Sequence, residues 1–175
     1  LRIYFMAPML IFLIIFSFML VKLVDSANKK PSPLIGRTLP VFNLEAAYEG
    51  ASGLVSSEIK GQYALINVFG SWCVTCRLEH QFLMQLKERN ILPVYGIAWR
   101  DSPENLTKFL AQNGNPYTKT GNDFTGEIII DLGVTGAPET FLVAPEGIIV
   151  AAHSGPISED VWNAEFAPFI AGGKK

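Results

Sequence analysis

The longest feature of the hydrophobic pattern lies at the N-terminus. From Ile3 to Val21 the chain runs without a charge, interrupted only by Pro8 and Ser17. At about 1.5 Å per helical residue such a run nearly matches a bilayer core of about 30 Å. A cleavable signal peptide usually has a shorter apolar region, about 7–15 residues, and Asp25 with the lysines beyond it makes a poor cleavage site. The pattern therefore favours an uncleaved transmembrane anchor over residues 1–24, with a signal peptide as the lesser reading. Residues 25–36 (DSANKKPSPLIG) mix Lys, Ser, Pro and Gly and predict a tether.

A folded domain over 37–173 follows. LPVFNLEA suggests a short strand and SSEIKG one helical turn closed by Gly61; YALINVFG, bounded by glycine, is short enough for a buried strand. From Cys73 to Arg89 the period lengthens: Leu78, Phe82 and Leu86 recur at four-residue intervals among polar residues, which predicts a helix with one buried stripe. ILPVYGIAW predicts the next strand, and Ser102 with Pro103 supplies the cap and first-turn proline of a helix to about Gln112, stopped by NGNP. Residues 113–137 are mixed; EIIIDLGV within them reads equally as a helical turn or a strand. ETFLVAPEGIIVAAH predicts two strands joined by a Pro-Glu-Gly turn. Ser158 caps a last helix carrying Val161, Trp162, Phe166 and Phe169. The order is βαβ, an insert, then ββα, which defines an α/β fold with helices flanking a mixed sheet.

Composition changes little in this picture. Hydrophobic residues make up 49% and charged residues 17%, which excludes a disordered chain. A net charge of −2 with no dense Lys/Arg run gives nothing for nucleic acid to bind. Arg2 alone precedes the apolar span while Lys22, Lys29 and Lys30 follow it, so a bare positive-inside count would leave the domain in the cytoplasm. That count does not settle the orientation, which rests instead on what the cysteine chemistry requires.

The two cysteines of the chain, Cys73 and Cys76, stand where the buried strand gives way to the amphipathic helix, in FGSWCVTCRLEH. A c-type haem anchor needs histidine after the second cysteine, and Arg77 is there instead. A zinc site needs about four ligands; His80 shares a helical face with the pair, but the other histidine, His153, is remote in sequence and no second pair exists. Inert structural thiols are the ordinary alternative. The first turn of a helix, however, offers unpaired N–H groups and a positive dipole end that favour a thiolate, and C-x-x-C spacing brings a second sulfur within reach. The reading is a redox dithiol, with no metal and no cofactor besides the pair itself. Cys73 at the helix start attacks, with a pKa expected below the free value of about 8.5, and Cys76 one turn inside resolves.

The stretches ALINVFGSWCVTCRLEH and GVTGAPETFLV resemble the membrane-anchored thiol:disulfide interchange proteins of cytochrome c maturation, the DsbE or CcmG family, over about residues 34–170. The resemblance implies a thioredoxin-like fold and an enzyme, a thiol:disulfide oxidoreductase. It implies a single-pass protein of a bacterial inner membrane with its C-terminal domain in the periplasm. Its partners would be apocytochrome c or other thiol proteins of cytochrome c maturation, with electrons from a transmembrane donor of the DsbD or CcdA kind. The rival readings are a more general TlpA- or ResA-like reductase with another client, and a non-catalytic platform that binds apocytochrome c.

The same resemblance makes Pro138 a cis-proline facing the dithiol, with Ala137 offering backbone groups to a substrate peptide, and Trp72 an apolar wall beside the sulfur. Thioredoxins commonly carry a buried acid six residues before the first cysteine, where this chain has Asn67. Asparagine cannot take a proton from Cys76, so another group must. Glu139, beside Pro138, is the candidate, and Asp101 the weaker one, expected to be solvated. Arg77 and Glu79 are expected to be solvated helix residues, and His80 solvated or partly packed. Val74 and Thr75, between the cysteines, bear no charge, which points to a potential of roughly −200 to −270 mV, nearer thioredoxin than a strong oxidant.

Overall fold

A computed structural model describes residues 2–27 and 34–172. Of the tether expected over 25–36, residues 28–33 lie outside the described residues, while 25–27 belong to the N-terminal helix and 34–36 form a turn. Helix α1 (Arg2–Ala27) is continuous and contains Pro8. Its side chains are described over residues 8–22, where all are exposed, and among the described residues no helix is long and apolar enough to cross a membrane.

The domain from Leu34 onward is built on a five-stranded sheet of order β5-β4-β3-β6-β7. Its strands are β3 (Ala64–Phe69), β4 (Val94–Trp99), β5 (Lys119–Asp123), β6 (Glu139–Val143) and β7 (Ile149–Ser154). The first three run parallel, and β6 and β7 are antiparallel to their neighbours. Every residue of central β3 is buried, as expected of a strand covered on both faces. Helices α2 (Val74–Glu88) and α3 (Pro103–Asn113) cross from β3 to β4 and from β4 to β5 in the same sense, and right-handed crossovers place both on one face. There Phe82, Leu83 and Leu86 of α2 and Leu106, Phe109 and Leu110 of α3 pack with Leu65, Phe69, Trp162 and Phe166. On the other face Ile66, Val68 and Phe141 meet Ile129 and Leu132 beside the small antiparallel pair β1 (Asn43–Leu44) and β2 (Leu54–Val55).

Three expectations are corrected. The mixed segment contains both a strand, β5, and a helical turn, α4 (Glu127–Asp131). KTGND carries no alternating apolar signal; β5 is held by pairing to β4, and Gly121 lets Leu44 and Leu54 pack against its backbone. The buried stripe of α2 is Cys76, Glu79, His80, Phe82, Leu83 and Leu86, not one that includes Leu78, which is 70% exposed. The last helix is interrupted: α5 (Glu159–Val161) leads through a π turn at Trp162–Phe166 into α6 (Ala167–Gly172), and Phe169 is exposed. The extra residue of a π turn advances the register, so Trp162 and Phe166 face the core while Phe169 does not.

Candidate active site

The site forms where β3 ends and α2 begins. Cys73 is the N-cap of α2, in extended conformation, and its sulfur accepts a hydrogen bond from the backbone N–H of Cys76 at 3.1 Å. Cys73 and Cys76 are joined by a disulfide with their Cα atoms 5.3 Å apart, and both are buried. The sulfur of Cys73 thus lies against a helix N-terminus, where aligned N–H groups stabilise negative charge.

The loop before it is fixed from β4. Asp101, just beyond β4, is buried and accepts from the backbone N–H and the hydroxyl of Ser71 and from the N–H of Ser102. It is not the solvated residue expected, because three donors from the loop and the α3 cap enclose it. Trp72 donates from its indole to the carbonyl of Trp99 at 3.0 Å and meets the Trp99 ring edge-on, which leaves Trp72 half-exposed beside the cysteines. Gly70 is required here, since a Cβ would run into the Trp72 indole. Across the sheet edge the Ala137–Pro138 peptide bond is cis, and the Ala137 carbonyl lies 3.5 Å from Sγ of Cys73. Arg77 donates to the Ser71 carbonyl and stands over the Phe109 ring.

Asn67 is wholly buried in mid-β3. Its amide nitrogen donates to Oε1 of Glu79 at 2.8 Å and to the hydroxyl of Thr140 at 3.0 Å, and its amide oxygen accepts from the Tyr117 hydroxyl at 2.9 Å. The second oxygen of Glu79 accepts from the N–H of Ile157 at 3.0 Å. Glu79 is 1% exposed, which corrects its reading as a solvated helix residue. Burial pushes its pKa up to about 7, against the opposing pull of the Ile157 N–H and the Asn67 amide. It stands three residues beyond Cys76 on the same buried helix face, a spacing at which helical side chains are neighbours. A carboxyl of this kind can take the proton that Cys76 sheds when it becomes a nucleophile.

Glu139 is also buried, and its pKa is raised to about 7 by burial, with bonds from the Ser154 side chain and the Thr135 backbone opposing the rise. Its neighbour Thr140 reaches Asn67, so strand alternation puts the Glu139 side chain on the opposite face of the sheet. Both carboxyls are thus buried with raised pKa values, and Glu79 is the one that bonds to Asn67 and shares the buried face of α2 with Cys76. His80 is buried too: its Nε2–H donates to the Gly114 carbonyl, its ring meets Phe109 edge-on, and burial lowers its pKa. Among the described residues no group of three or more His, Cys, Asp or Glu is disposed to hold a metal ion.

A parallel–antiparallel sheet with a C-x-x-C helix at the end of its central strand and a cis-proline opposite defines a thioredoxin-fold thiol–disulfide oxidoreductase. The Redoxin family model matches residues 34–167. DsbE of Pseudomonas aeruginosa is 38% identical over 161 residues, spanning 92% of this chain and 89% of that protein. DsbE of Escherichia coli K12 is 37% identical over 168 residues, spanning 92% and 90%. The thioredoxin domain of a Bacteroides vulgatus thiol-disulfide oxidoreductase superposes with a TM-score of 0.66 at 22% identity, covering 78% of this chain and 97% of that one, and shares the fold. The chain belongs to the DsbE family of thiol:disulfide interchange proteins, and it is a thiol–disulfide oxidoreductase that works through its own cysteine pair.

Proposed function

We propose that this chain is a membrane-anchored, periplasmic reductase of the C-x-x-C-H disulfide of apocytochrome c, acting before haem attachment in a bacterial cytochrome c maturation system. The observation that carries the reading, together with membership of the DsbE family, is the near-complete burial of both cysteines beside the Ala137 carbonyl. A dithiol so enclosed favours a client that brings an extended segment to the Trp72 and Ala137 edges, which suits a narrow set of partners rather than any exposed disulfide.

The Cys73 thiolate attacks one client sulfur, and the other departs with the electron pair and takes up a proton. Cys76, deprotonated toward Glu79, then attacks Cys73, closes the intramolecular disulfide and frees the reduced client. Two electrons pass to the client and are restored by a transmembrane dithiol donor of the DsbD or CcdA type.

The test is to offer Cys76→Ser an oxidised C-x-x-C-H peptide alongside insulin. A mixed disulfide on Cys73, found by mass and formed at least tenfold faster with the peptide, is expected. Equal rates would favour the general TlpA- or ResA-like reductase, and no adduct with the peptide would overturn the assignment of client.

A further inference from the structure

The sequence gives the two residues between the cysteines no chemical part, but the structure separates them. Both are exposed, but Val74 has no polar atom to offer, whereas the hydroxyl of Thr75 stands 3.4 Å from Sγ of Cys73. That sulfur has three polar neighbours of different kinds: the Cys76 N–H at 3.1 Å, the Thr75 hydroxyl at 3.4 Å and the Ala137 carbonyl at 3.5 Å. An N–H only donates and so favours the thiolate. A carbonyl oxygen only accepts and so favours the protonated thiol. The hydroxyl can do either, because its hydrogen rotates to suit its partner. It is therefore the neighbour that can follow the sulfur through a change of charge.

We propose that Thr75 is a catalytic residue of the exchange, donating its hydroxyl hydrogen to Cys73 whenever that sulfur is anionic. The first such moment is the attack on the client disulfide. The second comes when a dithiol reductant restores the pair. Its first thiolate bonds to Cys73 and Cys76 departs; its second thiolate then bonds to the first reductant sulfur, and Cys73 leaves with the electron pair. The reductant ends as a disulfide and the protein as a dithiol, so two electrons are transferred. In both moments the Thr75 O–H and the Cys76 N–H share the charge while the Ala137 carbonyl opposes it. Threonine suits the position because its branched Cβ limits χ1, which keeps the hydroxyl near the sulfur with little entropy to lose.

The test uses the full-length chain with Thr75→Val, which keeps the shape and removes the hydroxyl, and Thr75→Ser, which keeps the hydroxyl. Iodoacetamide alkylation of reduced Cys73 is followed against pH, and the disulfide equilibrium is measured against glutathione. A charge-assisted bond from a single hydroxyl to a thiolate is worth about one pKa unit, or tenfold. Thr75→Val is expected to raise the apparent Cys73 pKa by about one unit and, at a pH above both values, where the reduced form is the thiolate, to shift the glutathione equilibrium about tenfold toward the protein disulfide. Alkylation at pH 7 should slow by only about threefold, since the more basic thiolate is also more nucleophilic. Thr75→Ser should restore all three. An unchanged titration in Thr75→Val, or a shift that serine fails to reverse, would overturn the proposal and leave Thr75 as a helix residue valued for its shape.

Discussion

Asn67 and Glu79 together answer a question of charge at the level of single residues. An ionised acid at position 67 would face Glu79 at hydrogen-bond distance, and two like charges in so dry a place could not both persist. The amide instead donates to the carboxylate, and Tyr117 fixes its orientation by donating to the amide oxygen. Replacing Glu79 by Gln is expected to slow release of the client by Cys76 about 10²-fold, the usual scale of a lost general base, while attack by Cys73 changes little. Single-turnover kinetics resolve the two steps, and an unaltered release rate would sink the role. The same substitution should change stability in a pH-dependent way. Because the folded pKa lies above the ordinary 4.5, the native state holds its proton more tightly than the unfolded chain. Wild type should therefore lose stability between about pH 4.5 and 7, on the order of 3 kcal/mol from this group, and Glu79→Gln should make that part of the urea-unfolding profile shallower, leaving the slope that Glu139 adds in the same window. This residue was within reach of sequence reasoning: its offset of three from Cys76 puts it on the cysteine's face of α2. The four-residue spacing of Leu78, Phe82 and Leu86 drew the stripe to one side and left Glu79 among the solvated residues.

The elements divide by how they announce themselves. Strands β3, β4, β6 and β7 and helices α2 and α3 carry apolar runs, caps or turns that act locally, so the sequence shows them directly. Strand β5 does not: its residues are polar, and Thr120 and Asp123 are buried through tertiary pairing, which no local pattern encodes. Asp101 belongs to the same class of hidden feature, because its three donors come from the end of β3 and the start of α3. Asp101→Ala leaves the half-buried Ser71 and Ser102 N–H groups without their acceptor, at about 1 kcal/mol or more each. A fall in the urea midpoint equivalent to at least about 2 kcal/mol is expected, with faster amide exchange at Ser71 than at mid-β3. Uniformly faster exchange would mean that Asp101 supports the whole fold and not the loop ahead of Trp72.

On the scale of the whole molecule, the chemistry and the N-terminal segment have to agree. A reductase whose client crosses a membrane before folding gains from being held at that membrane, because tethering raises the local concentration of enzyme at the site where the client emerges. The uncharged run Ile3–Val21 has the sequence length expected of one span, and it lies within helix α1 (Arg2–Ala27), whose described part alone is too short to meet that length. The anchor therefore belongs to the proposal and is tested as such. Lys22, Lys29 and Lys30 after the run oppose a periplasmic domain by the charge rule, so orientation has to be measured rather than counted. In a bacterial host the full-length chain is expected in the membrane pellet after both high salt and alkaline extraction, which strip peripheral proteins but leave a spanning helix in place. A soluble species beginning near Ala27 would identify the segment as a cleaved signal instead. Alkaline phosphatase fused after Lys175 should be active, since that enzyme needs the oxidising periplasm to form its own disulfides. Activity of a cytoplasmic reporter at the same point, with phosphatase silent, would place the dithiol among the reduced thiols of the cytosol. There it would meet no apocytochrome disulfide awaiting haem, and the proposed client would fall while the thiol–disulfide chemistry of Cys73 and Cys76 stood unchanged.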